Sequence, residues 1–517
     1  MIARHSQTLS GQLKKIFSDF SAEVCIQFPD GSNKTYAELG RLVEKWCCYF
    51  FEKDLKKGDV VCINLTKNFT AYAVALACIR YGVPFCFTDP SAPTDRMQNI
   101  LNTCMPKIVV SDTDISILNE NCRVVTQAVI DGAEPNRGHN YFEPLTVMPS
   151  DPAYVIFTSG STGMPKGVTI SQSNLKNFIE WAISEYDLKA SDVHTHINPI
   201  YFDNSIFDIF STFFSGASLV PFTDTECRDP YFVINKIKHY KCNILFSVPS
   251  FLRFLVNMRS FGSNEIKNLE KIIFGGEGYP IPELRKLYDL TSDHATLYNV
   301  YGPSECTCIC SSYKVYLDDL EQKSGFAPIG TVSYNFDFYL RDDDGNFVGQ
   351  DRHGELVLGG LCIGLGYLGA TDLSASKFVT INDENGFLRY VYRTGDIFEH
   401  KSSDNKLYFV GRKDYQIKKQ GYRIELEDIE RAAFEHFDVI DSCCIFDPKL
   451  SRLVLVIQVI KEVSTTELLN WLKKRLPRYM VPDGIIHIDT MCKNTNGKTD
   501  RSLVEKFVLE NWKKKNG

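Results

Sequence analysis

Short apolar runs that alternate with longer helical patterns constrain the fold of this chain most strongly. VVCINL (residues 60–65) is followed by FTAYAVALACIRYG (69–82), and CNILFSV (242–248) is followed by SFLRFLVNMRS (250–260). A short apolar run bounded by turn residues predicts a buried strand, and strands that alternate with helices predict βα units. We therefore expect α/β layers with mostly parallel sheets over the first four hundred residues.

The pattern changes after about residue 410. GRKDYQIKKQGYRIELEDIERAAFEHF (411–437) predicts a strand, a turn and an amphipathic helix, and VLVIQVI (454–460) and TTELLNWLKKRL (465–476) predict a further strand and helix. A chain of 517 residues is too long for one ordinary core. We expect a large α/β domain over residues 1–411 and a small α+β domain over residues 412–517.

Composition excludes several classes of protein. A hydrophobic content of 44% and a charged content of 23% are typical of a globular protein, and no apolar run is long enough to span a membrane. The first residues show no continuous apolar segment of the kind found in signal peptides, so a cytoplasmic location is expected. The net charge of -7 argues against a nucleic-acid partner. We expect a monomer that binds neither nucleic acid nor membrane.

The 17 cysteines include no C-x-x-C pair, which favours reduced thiols. Cys306, Cys308 and Cys310 alternate in ECTCIC, and this spacing predicts one face of a strand. No histidine lies near them, so a zinc site is not favoured.

One loop carries the first functional signal. YVIFTSGSTGMPKGVTIS (154–171) places glycines, hydroxyl side chains and Lys166 between two strand-like runs. Glycine lets backbone N–H groups approach an anion, and hydroxyls and a lysine add donors and charge, so the loop predicts an oligophosphate site. It is not a Walker A loop, because Pro165 and Gly167 stand where that motif needs Gly and Ser or Thr.

Five motifs together resemble the adenylate-forming superfamily, which contains amino-acid adenylation domains, acyl-CoA synthetases and luciferases. They are TSGSTGMPKG (158–167), NVYGPSE (299–305), YRTGD (392–396), GRKDYQIKKQGYRIEL (411–426) and NGKTDR (496–501), in the order and spacing of that superfamily. The resemblance covers almost the whole chain. It implies a large mixed α/β domain followed by a small mobile lid domain.

Within the superfamily, YFDNSIFDIF (201–210) resembles the motif of members that activate amino acids, including stand-alone D-alanine:carrier-protein ligases. The likeness implies that Asp203 binds the substrate ammonium group. A carboxylate in an apolar pocket prefers such an ionic partner. Without the resemblance, Asp203 reads as the N-cap of a helix that starts in NSIFDIF.

The resemblance implies that a carboxylate attacks ATP to give an acyl-AMP and pyrophosphate, and that a thiol then takes the acyl group. It implies that Asn299 and Tyr301 contact adenine, that Asp396 and Arg412 bind the ribose, and that Ser304 contacts the α-phosphate. It also implies that Glu305 binds Mg²⁺. It implies that the loop binds the β- and γ-phosphates through the donors Thr158, Ser159, Ser161, Thr162 and Lys166. It also places three glycines in the nucleotide site, Gly160, Gly163 and Gly302.

Lys498 would bridge the substrate carboxylate and the α-phosphate, and Asp414 would be the hinge about which the small domain rotates. Family members often carry a basic residue before the glycine of KKQGYR, whereas this chain has Gln420. No phosphopantetheine attachment motif follows Arg501, so we expect the thiol to come from a separate carrier protein, with coenzyme A as the lesser alternative.

Alignment by motif also implies a side-chain pocket that has no ionised group apart from Asp203 and Lys498. This pocket predicts a neutral, small to medium α-amino acid, because a charged side chain would be left unpaired. The alternatives are an acyl-CoA ligase for a non-amino acid and a nucleotide sensor without activity. The implied lining residues are Asp203, Asn204, Phe207, Ser250, Ile273, Gly275, Val300, Cys308 and Ile309.

Overall fold

The structure is a computed structural model. It describes residues 8–113, 115, 122–126, 142–159, 165–258, 266–448, 450–461, 463–493 and 499–515. The chain forms two compact units. The first contains Met1–Pro90, Thr103–Phe157 and Gly167–Lys413, and the second contains Ser91–Asn102, Thr158–Lys166 and Asp414–Gly517. The chain passes finally from one unit to the other between Lys413 and Asp414.

The strands, numbered along the chain, are β1 Val24–Gln27, β2 Asn33–Thr35, β3 Val61–Asn64, β4 Phe85–Phe87, β5 Ile108–Ser111, β6 Arg123–Val125, β7 Pro152–Thr158, β8 Lys166–Ser171, β9 Val193–His196, β10 Ser218–Pro221, β11 Ile244–Ser247, β12 Lys271–Gly275, β13 Thr296–Tyr301, β14 Ser311–Lys314, β15 Phe336–Arg341, β16 His353–Gly360, β17 Gly366–Tyr367, β18 Phe378–Asn382, β19 Leu388–Lys401, β20 Lys406–Arg412, β21 Gln416–Lys419, β22 Tyr422–Glu425, β23 Val439–Asp447, β24 Arg452–Val459 and β25 Gly484–His487.

The α-helices are Leu9–Asp19, Tyr36–Glu52, Phe69–Tyr81, Thr94–Cys104, Gln172–Glu185, Asn204–Ile206, Thr212–Ser215, Pro230–His239, Pro249–Asn257, Ile281–Thr291, Thr371–Lys377, Leu426–Phe434, Thr465–Arg475 and Arg501–Lys515. A π-helix covers Phe207–Ser211. The 3₁₀ turns are Glu226–Arg228, Ser304–Cys306, Leu317–Leu320 and Arg478–Met480.

Three sheets form the layers of the first unit. Among the described residues, one has the order β14-β13-β12-β11-β9-β10-β1-β2, a second has the order β17-β8-β7-β4-β3-β5-β6, and the third is built around β15-β16-β19-β18 with β20 beside β19. The strand runs that the sequence predicts lie in the first two sheets, as β3 and β11, and both pair in parallel with their neighbours. Both strands are fully buried, as continuous apolar runs favour.

The helix Phe69–Tyr81 shows how local sequence fixes an element. Asn68 caps its first turn by accepting a hydrogen bond from the Ala71 N–H, and Gly82 ends it with a positive φ of 104°. Nearly every residue of this helix is buried. A helix that is apolar on all sides belongs in a core, and the run of small and aliphatic residues allows close packing there.

The second unit has its own core. The hairpin of β21 and β22 turns through Gln420 and Gly421, which both have positive φ, at 52° and 78°. Strands β23, β24 and β25 form a three-stranded sheet in the described part of the chain. Apolar side chains from this sheet and from the helices Leu426–Phe434 and Thr465–Arg475 are buried together.

The mixed α/β class is confirmed, but the predicted strand through Cys306, Cys308 and Cys310 is wrong. Cys306 ends a 3₁₀ turn, and Thr307 and Cys308 have positive φ of 56° and 75°. Strand β14 begins only at Ser311. A polar and apolar alternation cannot reveal two consecutive left-handed residues, which is why the pattern was misleading. No helix in the described parts of the chain has the length and apolar character needed to cross a membrane.

Candidate functional site

Asp396 lies at the centre of a polar cluster in the first unit. Its carboxylate accepts hydrogen bonds from the Tyr301 hydroxyl and from Arg412 Nη1, both at 2.5 Å. Strand pairing explains the second contact, because Asp396 and Arg412 are opposite residues of β19 and β20. Asp396 is only 4% exposed. Burial raises the pKa of Tyr301 well above its usual value, so the phenol is a donor to this carboxylate at neutral pH.

The predicted adenine-binding segment is held by contacts with the protein backbone. Asn299 donates its amide hydrogens to the carbonyl oxygens of Ala327 and Pro328, at 3.3 and 2.9 Å. Gly302 permits a close approach of two backbone segments, since a Cβ there would lie 2.2 Å from the Cys308 carbonyl oxygen. Asn299 and Tyr301 therefore have hydrogen-bond partners within the protein, and their contact with adenine stays a prediction.

Asp203 and Ser304 meet in the same unit. The Ser304 hydroxyl donates a hydrogen bond to Asp203 Oδ2. Asp203 precedes the helix Asn204–Ile206, yet its side chain makes no capping hydrogen bond and its backbone is already helical. The reading of Asp203 as an N-cap, which the bare sequence favours, is therefore wrong, and its carboxylate lies beside Ser304 instead.

Glu305 is completely buried. The Tyr367 hydroxyl donates to its Oε1 at 2.7 Å, and its own carbonyl oxygen accepts from the Gly364 N–H at 2.8 Å. A group of three or more metal-ligating side chains does not occur among the described residues. One buried carboxylate nevertheless fits Mg²⁺, because this ion is often held by one or two carboxylates together with substrate phosphates and water.

The predicted pocket residues come from helices, two strands and a turn of the first unit. Asn204 and Phe207 lie where the helix widens into a π-helix, a feature that often occurs at functional sites. Ser250 lies in the first turn of the helix Pro249–Asn257, where its N–H donates to Glu277 Oε1 at 2.6 Å. Ile273, Gly275 and Val300 lie on the neighbouring strands β12 and β13, and Cys308 and Ile309 follow the left-handed turn.

Close packing fixes the place of two of these residues, Phe207 and Gly275. The ring of Phe207 packs edge-on against Phe246 and Tyr186, with centroids 5.2 and 5.5 Å apart. Gly275 faces Val300 across the sheet, and a Cβ at Gly275 would lie 2.3 Å from the Val300 carbonyl oxygen. The missing side chain at Gly275 is thus required by strand packing, so it does not by itself indicate space for a substrate.

Burial raises the pKa of the Cys308 thiol well above its usual value, and the nearby carboxylate of Asp203 adds to the rise. The thiol is therefore neutral and behaves as a small apolar group. It contributes no charge to the predicted pocket.

The glycine-rich loop is described at both ends, in the second unit. The buried Thr158 hydroxyl oxygen has no hydrogen-bond partner among the described residues. Ser159 Oγ donates to the Arg423 carbonyl oxygen at 2.6 Å, and Lys166 Nζ lies 3.6 Å from Glu425 Oε1. A buried hydroxyl without a partner at one end of the loop and a lysine at the other fit a phosphate-binding segment. Gly160, Ser161, Thr162, Gly163 and Lys498 lie outside the described residues.

Comparison with known proteins identifies the family. A family model described as AMP-binding enzyme matches residues 17–368. The chain belongs to the AMP-binding enzyme family. The predicted resemblance is thereby confirmed, and the matched span contains Asp203, Ser304 and Glu305.

Two relatives of this AMP-binding enzyme carry informative names. An L-proline–[L-prolyl-carrier protein] ligase of Streptomyces coelicolor is 31% identical over 494 residues, which cover 90% of each chain. A D-alanine–D-alanyl carrier protein ligase of Bacillus licheniformis is 29% identical, over 92% of this chain and 94% of the relative.

Solved structures agree on the fold. An artificially fused adenylation-PCP di-domain, NpsA-ThdA from Klebsiella oxytoca, superposes with a TM-score of 0.82 at 21% identity and covers 93% of each chain. The amide bond synthetase McbA from Marinactinospora thermotolerans gives 0.81 at 18% identity, with 96% of this chain and 99% of that one covered. At such low identity these likenesses show a shared fold.

Sequence reasoning missed the side chains that support the site. Tyr367, which donates to Glu305, lies outside every quoted motif. Thr394 lies inside YRTGD, and its hydroxyl accepts from the Asp396 N–H at 3.0 Å. Glu425 lies inside the motif at residues 411–426, yet the motif predicts no role for it. A motif shows which residues recur, whereas a partner contributed by another element becomes visible only in the fold.

Proposed function

We propose that this AMP-binding enzyme uses ATP to activate a neutral, small to medium α-amino acid as an aminoacyl-AMP, and transfers it to the phosphopantetheine thiol of a carrier protein. The carboxylate of Asp203 carries the proposal. It lies in partly buried surroundings, makes no helix cap and accepts a hydrogen bond from Ser304. A carboxylate so placed favours a cationic ligand group, as the ammonium of an amino acid would be.

Two comparisons support the same reaction. The names of both relatives describe ligases that join an amino acid to a carrier protein, and both cover nearly the whole chain. The family description supports a nucleotide substrate. Neutral amino acids are favoured because the predicted lining offers apolar side chains and a thiol whose pKa is raised. The two charges predicted there, Asp203 and Lys498, would pair with the ammonium and carboxylate groups, so an acidic or basic side chain would be left unpaired.

Each candidate residue then has a chemical task. Asp396, an acceptor-only carboxylate, would accept the ribose hydroxyls, with Arg412 and Tyr301 holding it in place. Glu305 would hold Mg²⁺, which neutralises phosphate charge when bound. Lys498 would draw the substrate carboxylate and the α-phosphate together, and Ser304 would donate to that phosphate. Thr158, Ser159 and Lys166 would donate to the β- and γ-phosphates.

An acyl-CoA ligase of the same fold is the alternative. Such an enzyme needs no counter-ion for an ammonium group, so Asp203 distinguishes the two reactions. An exchange assay that measures amino-acid-dependent incorporation of labelled pyrophosphate into ATP tests the choice directly, and amino acids of both chiralities should be compared with their deaminated acids.

We expect exchange with neutral α-amino acids and none with the deaminated acids, Glu, Lys or Arg. Asp203→Ala should lower exchange by about 100-fold or more, because removing the partner of a buried charge costs roughly 3 to 5 kcal/mol. Asp224→Ala is a matched control at an exposed aspartate. Robust exchange with a deaminated acid would instead assign the chain to the acyl-CoA ligases.

A further inference from the structure

Glu425 is a buried carboxylate that does not cap the helix it precedes. It is the N-cap residue of the helix Leu426–Phe434, but its side chain makes no capping hydrogen bond. It is 8% exposed and accepts a hydrogen bond from Gln416 Nε2 at 2.6 Å. A buried carboxylate is costly without a cationic partner, and Lys166 is the cation that lies beside it, 3.6 Å away.

Both side chains of this ion pair are largely buried. The Lys166 and Glu425 side chains are 10% and 11% exposed. Asp428, one turn further along the helix, also lies in the field of Lys166, and burial raises its pKa to about 6. Asp428 itself pairs with Arg431 at 2.8 Å, so Glu425 is the carboxylate that contacts Lys166 among the described residues.

The same hairpin holds the other end of the glycine-rich loop. Ser159 is 3% exposed, and its hydroxyl donates to the carbonyl oxygen of Arg423 on β22. Two residues of the hairpin, Arg423 and Glu425, thus contact two predicted phosphate donors, Ser159 and Lys166. Protein groups therefore contact both of the donors that phosphate would use.

We propose that Glu425 is an internal counter-ion that holds Lys166 and that the phosphates of ATP or pyrophosphate displace. The inference rests on the proposed phosphate role of Lys166. The exchange involves no covalent step: one ion pair is broken and another forms on the same ammonium. Glu425 weakens phosphate binding by competition and favours release of pyrophosphate, because it restores the partner of Lys166 when the anion leaves.

The test compares full-length protein with Glu425→Gln, which keeps an acceptor for Gln416 but removes the charge. Calorimetric titration with magnesium pyrophosphate and with ATP should give a dissociation constant about fivefold lower in the variant, as expected for a loss of about 1 kcal/mol of competition. Glu427→Gln is the matched control, since Glu427 is exposed two residues away. Adenosine, which has no phosphates, should bind equally to all three proteins.

A double-mutant cycle shows whether Glu425 acts through Lys166. In a Lys166→Gln background, Glu425→Gln should no longer tighten pyrophosphate binding. Glu425→Asp, whose carboxylate is withdrawn by one methylene, should give a smaller gain in the same direction, and it serves if Glu425→Gln does not fold.

The outcomes separate the two ideas. If Lys166→Gln binds ATP as tightly as the unaltered protein, the proposed phosphate role of Lys166 is wrong. If Lys166→Gln weakens binding while Glu425→Gln leaves it unchanged or weakens it too, only the counter-ion role is wrong. A gain for adenosine equal to that for ATP would also overturn it, because competition for phosphate cannot act on a ligand without phosphate.

Discussion

At the scale of single residues, buried polar groups outside the candidate site set part of the stability. His194 on β9 is 1% exposed, and neither ring nitrogen has a hydrogen-bond partner among the described residues. Burial lowers its pKa to about 4. The unfolded chain takes up a proton below about pH 6.5, whereas the folded protein does not until about pH 4. The free energy of unfolding therefore falls as the pH decreases across this window.

We expect His194→Leu to remove this dependence. Between pH 7 and pH 5 the unaltered protein should lose about 2 kcal/mol more of its unfolding free energy than the variant. Urea unfolding at the two pH values measures the difference, with the exposed His353→Gln as the control. An equal loss in the protein and in His194→Leu would mean that other groups cause the acid sensitivity.

At the scale of elements, the β21–β22 hairpin contains a local conflict. A two-residue hairpin loop with positive φ at both positions favours Asn-Gly or Gly-Gly, but this loop is Gln420-Gly421. A glutamine in the left-handed region costs roughly 1 kcal/mol. The sequence shows a glutamine before Gly421, and the positive φ at this position becomes visible only in the structure.

Gln420→Gly should therefore stabilise the second unit by about 0.5 to 1 kcal/mol, because glycine adopts the left-handed conformation without strain. Thermal unfolding of the full chain gives the shift. Lys418→Gly, placed inside strand β21, should do the opposite, since glycine weakens a strand interior. A destabilised Gln420→Gly protein would contradict this account of the turn.

At the scale of the whole molecule, the sequence predicts the buried strands of the sheets better than it predicts the side-chain contacts between distant elements. Parallel strands buried on both faces read as continuous apolar runs, so β3 and β11 could be recognised directly. The motifs indicate Asp203, Ser304 and Glu305 but not Tyr367, because hydrogen bonds between distant elements leave no local pattern. The pairing of Lys166 with Glu425 was hidden for the same reason, although both residues lie in quoted motifs.

The division of the chain between Lys413 and Asp414 leads to a prediction about the two half-reactions. Asp414 begins the last segment of the second unit, and its carboxylate accepts a hydrogen bond from the Gln416 N–H at 3.3 Å. If Asp414 is the hinge, Asp414→Pro should restrict rotation there, because proline fixes φ. Thioester formation should then slow by at least tenfold while adenylate formation changes little.

Lys498→Ala should show the reverse pattern, with adenylate formation nearly abolished and transfer from a preformed adenylate largely kept, since its proposed charge acts only where carboxylate and phosphate meet. Pyrophosphate exchange measures the first half-reaction, and labelled aminoacyl transfer to a carrier protein measures the second.

Asp414→Ala, which removes the side chain but leaves φ free, is the control for Asp414→Pro. Equal losses of both half-reactions in Asp414→Pro would show that this residue is not a hinge, because a hinge defect must affect the step that needs the rotation more than the step before it.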